Sequence, residues 1–317
     1  MSAACRDERR RAVTDVARSV DMVARTGTAV RRQTPAAGRI PAPALAIAIA
    51  MAAATATLAD EVPAPVIALF ERYVEATESR MRSDRSSGGL LWLDRLPASE
   101  RAGIERQLAT GAVVARPLRT DGAGEAPKAS QAVFLHAVAV VQVPGRTAQE
   151  VVALLRDADH HAEYFAPTIR RSRIVGHDGD AQVVDGQFWH RKVFTIVYNA
   201  EVETRCETLR DTQAECRSFS RRGAMVADPG QPTEREKGFR GDAKKQWFLR
   251  SYYRVERRGD SAFVELETLF VSPPLSRWLR VFTPLVRDVP GEVGAALLTA
   301  LRARLTEAAS PAPPRRP

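Results

Sequence analysis

The chain has 317 residues, of which 44% are hydrophobic and 27% charged, the balance of an ordinary globular protein with length for one or two domains. Its formal net charge is +9, but the first 59 residues carry nine arginines against four acids, and beyond them acids and bases alternate without a basic run. That pattern argues against a nucleic-acid partner. There is no G-x-S-x-G elbow, P-loop or Gly-rich dinucleotide fingerprint, and no histidine pair at metal-ligand spacing on a helix, so no catalytic residue, cofactor or metal is assigned.

Residues 1–39 are Arg- and Ala-rich without a sustained apolar period, and 41–56 are almost wholly small and apolar. Arg31, Arg32 and Arg39 precede that core, and Thr57-Leu58-Ala59 follows it as a small-residue cleavage site. The order is that of an export signal in a leader of residues 1–59. The alternatives are an uncleaved membrane anchor over 41–56 and an Ala-rich helix, although the core is short for a span of roughly 20 residues.

Residues 60–130 read as a helical extension and linker. The spacing of Val66, Leu69, Phe70, Tyr73, Val74 and Thr77 predicts a helix over 63–82, broken at 86–89. A second helix starts near Ser99 and stops at Gly111. Nothing chemical stands out in either. Residues 131–143 form a strand that is apolar on both faces, ended by Pro144-Gly145. Thr147, with Glu150 three residues on, makes a capping box for a short helix. His160 and His161 lie in the segment after it. Strands follow at 168–175, 181–191, 193–209 and 212–227, split by turn residues.

Residues 247–256 alternate with period two, as do 262–270 after the Arg257-Arg-Gly-Asp260 turn, and the two read as a hairpin. Val264, Leu266 and Phe270 share one face. Glu265 and Glu267 share the other, opposite Arg250 and Arg254, and this reads as a solvated cross-strand charge ladder rather than acid/base machinery. Pro273-Pro274 ends the sheet. From Leu275 the period becomes helical, interrupted by Pro284 and Pro290, with a regular helix from about Gly291. Such a helix after an antiparallel sheet must bury its stripe on that sheet.

The order of strand, helices, six antiparallel strands and long C-terminal helix resembles the helix-grip architecture of the START-like (SRPBCC) superfamily. That superfamily includes START lipid-transfer domains, polyketide cyclase/dehydrase-like proteins, coenzyme Q-binding proteins and the birch-pollen-allergen family. The likeness covers roughly 131–305. It rests on Val143-Pro-Gly-Arg-Thr-Ala-Gln-Glu-Val-Val-Ala-Leu-Leu-Arg-Asp157, Tyr164-Phe-Ala-Pro167, Ser172-Arg-Ile-Val175, Ser251-Tyr-Tyr-Arg254 and Phe263-Val-Glu-Leu-Glu267. It implies an α+β fold, a curved antiparallel sheet of about seven strands wrapped round the C-terminal helix, over a domain of 131–307 with a disordered tail at 308–317. It also implies an apolar cavity between sheet and helix, occupied by a hydrophobic small molecule or lipid, with transient membrane contact.

Within such a cavity the aromatics at element ends and on apolar faces become ligand-binding candidates: Tyr164, Phe165, Phe188, Tyr198, Trp247, Tyr253, Trp278 and Phe282, with His190 as a polar anchor. The expected function is that of an exported, periplasmic binding protein. A polyketide cyclase/aromatase-like enzyme and a membrane-anchored scaffold are the alternatives. Export leaves Cys206 and Cys216 in an oxidising compartment. A three-residue loop at 210–212 sets Leu209 opposite Gln213 and Cys206 opposite Cys216, within reach of a disulfide.

Overall fold

The structure, a computed structural model, describes residues 62–120, 132–191, 195–236, 247–273 and 289–307. The leader with its apolar segment 41–56, the linker 121–130, Trp278, Phe282 and the tail 308–317 lie outside the described residues.

Helix α1 (Ala64–Ser86) follows Pro63, and a 3-10 turn at Trp92–Arg95 leads into α2 (Ala98–Ala109). Pro97, not Ser99, holds the N-cap position of α2; its φ is already set for the entry and it has no N–H to leave unsatisfied. The first strand, β1 (Val114–Pro117), is absent from the periodicity reading because four residues ending in proline carry no alternation. Next come β2 (Val133–Pro144), α3 (Ala148–Arg156), a short turn at Ala158–His160 and α4 (His161–Tyr164). The remaining strands are β3 (Ile169–Asp178), β4 (Ala181–Arg191), β5 (Thr195–Arg210), β6 (Gln213–Ala227), β7 (Arg235–Glu236), β8 (Phe248–Arg258) and β9 (Ser261–Ser272), before the C-terminal helix α5 (Val289–Glu307). The capping box of α3 forms: Glu150 N–H donates to Thr147 Oγ1 at 3.2 Å, and Thr147 N–H donates to Glu150 Oε2 at 2.8 Å.

All pairings are antiparallel and the sheet is open, in the order β1-β2-β9-β8-β6-β5-β4-β3, with β7 beside β6. The seven expected strands are thus joined, among the described residues, by two short ones. Register shifts at Arg170 and Val175 in β3, Leu209 in β5 and Arg221 in β6 each leave one residue unmatched. Such bulges bend and twist a sheet locally, and here they make one face concave.

Helix α5 packs on that concave face. Leu298 and Leu301 are fully buried, each contributing roughly 1.5–3 kcal/mol of hydrophobic stabilisation. The approach is close at Gly294, where an added Cβ would sit 3.2 Å from Ala139 Cβ. Helix α3 covers one end of the same face through Val151, Val152, Leu154 and Leu155. The α+β helix-grip arrangement is therefore present as an open sheet gripping a C-terminal helix.

The convex face is covered as well, and this corrects the solvated charge ladder. Phe70, Tyr73, Val74 and Met81 of α1 pack on Tyr252, Leu269 and Val271. Leu91, Leu93, Ile104 and Leu108 pack on Val138, Val140 and Phe263. Arg254 does oppose Glu265 across β8 and β9, but Arg254, Glu265 and Glu267 are all at most 1% exposed. The helical extension roofs them, and Arg80 of α1 joins them by pairing with Glu267.

Candidate functional site

Between the concave face and α5 lies a cavity of about 430 Å³. Its floor is built by strand parity. Trp247, just before β8, and the odd residues Leu249, Ser251 and Tyr253 of β8 face it, on β9 the even residues Leu266, Thr268 and Phe270, and on β5 Tyr198, Val202 and Thr204. Val289, Val293 and Leu297 of α5 form its roof, and Leu155, Phe165 and Ile169 close one end.

Of the nine ligand-binding candidates, Phe165, Phe188, His190, Tyr198, Trp247 and Tyr253 line this cavity. Phe188 stacks on Tyr198 at 5.2 Å between centroids, Tyr198 meets Trp247 edge-on at 5.0 Å, and Trp247 tilts over Phe270 at 5.8 Å. This aromatic wall is seated by Gly223. A Cβ there would fall 2.4 Å from Trp247 Cε2, so only glycine admits the indole. Trp247 is 1% exposed, and its Nε1–H has no hydrogen-bond partner among the described residues.

Tyr164 does not line the cavity. Its hydroxyl donates to Asp157 Oδ2 at 2.5 Å and its ring lies under the Arg304 guanidinium at 4.7 Å. Trp278 and Phe282 are outside the described residues.

Burial pushes the Tyr198 hydroxyl up to about 12 and raises Tyr253 further. Both therefore stay protonated and able to donate at any physiological pH. Burial lowers His161, which faces the cavity, while a hydrogen bond from its neighbour holds Asp157 below the usual carboxylate range: His160 Nδ1 lies 2.7 Å from Asp157 Oδ1. His160 and His161 thus point to different partners, and no metal-binding group of three or more ligands occurs among the described residues. His190 Nε2 lies 3.5 Å from Glu292 Oε2 of α5, pairing an imidazole with a carboxylate beside the cavity wall.

Sequence reasoning missed two features. One is the buried ionic cluster under α1. The other is a row of cavity-floor hydroxyls contributed by neighbouring strands. A signal for the first was present: a strand apolar on both faces, as 131–143 is, needs a covering layer on each side. The second has no signal along the chain, because its members come from four different strands.

No family model matches this sequence, and no curated protein matches it. Among solved structures the chain is similar to a STAR-related lipid transfer protein from Xanthomonas axonopodis, at 14% identity and a TM-score of 0.42, over 62% of this chain and 94% of that one. It is similar to the lipid transfer and protein localization domain of human StarD13 (DLC2), at 12% identity and a TM-score of 0.42, over 66% and 98%. A third is the Zhui aromatase/cyclase from Streptomyces sp. R1128, at 13% identity and a TM-score of 0.40, over 56% and 96%. The fold is of the helix-grip kind: an open antiparallel sheet, helices after its first long strand, and a C-terminal helix laid across the concave face.

Proposed function

We propose that this protein holds a hydrophobic small molecule or lipid noncovalently, and does so as an exported, periplasmic protein. The cavity carries the reading. Packed interiors contain few voids larger than a water molecule, whereas this one is about 430 Å³ with aromatic and aliphatic walls, inside the range of roughly 300–1,000 Å³ typical of small-molecule pockets. The buried indole N–H of Trp247 adds a donor that a ligand would satisfy. For location, the support is the Cys206–Cys216 disulfide, a bond that persists in oxidising compartments, together with the positive region, short apolar core and cleavage site of the leader. Anchoring through 41–56 is the alternative, and transient membrane contact is where an apolar ligand would be exchanged.

Native mass spectrometry of the protein purified from its own host tests both halves at once. The expected spectrum shows a chain beginning near Asp60 with an additional noncovalent mass. A chain that carries no added mass contradicts the binding reading, and one that retains the leader contradicts cleavage.

The His190–Glu292 pair is the observation that favours the cyclase/aromatase-like alternative, since an imidazole beside a carboxylate is suited to general acid/base work. Comparing the molecules recovered from wild-type and H190N protein separates the two readings. Identical compounds support binding alone, and a difference in mass supports chemistry.

A further inference from the structure

The cavity floor is not uniformly apolar. Gln182 pairs in register with Thr204, Thr204 with Ser218, Ser218 with Ser251, and Ser251 with Thr268. All five line the cavity. At a strand spacing of about 4.8 Å, the four hydroxyls from Thr204 to Thr268 form a belt about 14 Å long, running across the strands. One residue pair further along β8 and β9 on each side, about 7 Å away, the cavity is lined by aliphatic and aromatic side chains, with the Tyr253 hydroxyl the polar atom among them. Leu249 faces Phe270 on one side and Tyr253 faces Leu266 on the other.

Within the belt Thr204 and Ser218 hydrogen-bond to each other at 2.9 Å. Ser251 and Thr268 make no side-chain hydrogen bond among the described residues. Each hydroxyl can donate once and accept twice, so most of the belt's capacity faces the cavity. Beside the belt, on the same face as Ser251, the buried Nε1–H of Trp247 also has no partner among the described residues.

We propose that the belt selects, among hydrophobic molecules, those carrying hydroxyl or carbonyl oxygens in the middle of an otherwise apolar body. This inference rests on the binding reading above and names its ligand class. A plain hydrocarbon chain laid across the belt strips water from hydroxyls and returns no hydrogen bonds, and leaving polar groups unpaired costs affinity. A chain with a mid-body oxygen replaces that water. Its two apolar arms then rest on the Leu249–Phe270 and Tyr253–Leu266 rows.

Isothermal titration of the full chain with dodecanoate and with its mid-chain hydroxylated counterpart tests the belt. One well-made hydrogen bond corresponds to about a fivefold gain in affinity, so the hydroxylated acid is expected to bind about fivefold tighter to the wild type. In the S251A/T268V double variant the two acids should bind alike, with dodecanoate bound as well as before or better. Circular dichroism and a melting curve establish that the variant is folded, and the single variants S251A and T268V, each losing part of the preference, serve if it is not. Equal binding of both acids by the wild type, or a preference that survives the double substitution, overturns the belt and leaves the cavity reading standing. Binding of neither acid overturns both.

Discussion

Arg254 sits between Glu265 and Glu267, donating to both through Nη2, with 2.6 Å to Glu267 Oε2. The rest of the cluster is equally specific. Thr120 N–H donates to the Tyr73 hydroxyl at 2.7 Å, that hydroxyl hydrogen-bonds His136 Nδ1 at 3.0 Å, and His136 Nε2 hydrogen-bonds Glu267 Oε1 at 2.8 Å. Glu265 accepts from Trp92 N–H at 2.5 Å. Burial alone would raise Glu267, but the His136 hydrogen bond and the Arg254 and Arg80 cations overcome it and hold the carboxyl well below its usual range. Burial, reinforced by Glu267 nearby, raises Glu265 despite Arg254. Removing one member leaves its partners buried and uncompensated, a loss of about 3–5 kcal/mol in such sites. We expect E267Q to lower stability by that order in urea unfolding, and E265Q by less. The pH dependence has a defined sign. A depressed folded pKa means that the Glu267 contribution is present above the unfolded value of about 4.3 and is lost as pH falls through the lower folded value. An E267Q variant whose acid-unfolding curve superimposes on the wild type contradicts this account.

At the scale of elements, the β5–β6 hairpin shows how a local turn is overruled. A three-residue loop was the expected route to an opposed cysteine pair. Instead Arg210 pairs with Gln213, leaving the two-residue turn Asp211-Thr212, and Leu209 is bulged out between Thr208 and Arg210. The bulge restores the parity that a two-residue turn alone would break. Cys206 faces Cys216 at a Cα separation of 4.0 Å and the disulfide forms. Leu209 gains burial against the apolar cluster beneath the helical extension, which accounts for its displacement. The like-charge pairs Glu207–Glu215 and Arg205–Arg217 follow from the same register. Arg217 pairs with Glu215 and Arg85 reaches both acids, which relieves them. Closing a loop with a sequence separation of 10 stabilises by roughly 2–3 kcal/mol through the unfolded state. The C206S/C216S variant should therefore melt roughly 5–10 °C lower while keeping the same far-ultraviolet dichroism. An unchanged melting temperature contradicts a stabilising cross-link.

For the molecule as a whole, the sheet is the middle of three layers: α5 and α3 inside its curve, the sheet itself, and α1 with α2 outside. The outer layer is no accessory. It covers apolar residues of β2, β8 and β9 and excludes water from Arg254, Glu265 and Glu267. A chain beginning at residue 110 would expose that face, and we expect it to bind a hydrophobic dye strongly and to melt without a cooperative transition. Cooperative melting within a few degrees of the full chain would show that the sheet and α5 stand without the outer layer.

Period-two alternation in 247–256 and 262–270, the period change toward α5, and the capping box at Thr147 are local properties, and the sequence by itself determined those elements, their faces and the helix-grip order. It also set Tyr198, Trp247 and Tyr253 on the cavity face, because parity assigns a face once a strand is known, whereas Tyr164 turns away to Asp157. Which charges are buried is another matter. Glu265 and Glu267 look the same along the chain whether water or α1 lies above them, and only the docking of a helix nearly two hundred residues away in sequence decides it. The hydroxyl belt is of the same kind. Thr204, Ser218, Ser251 and Thr268 are unremarkable singly, and become a line only when register aligns four strands. Local pattern fixes what each residue faces along its own strand, whereas the tertiary structure alone decides what comes to stand opposite it.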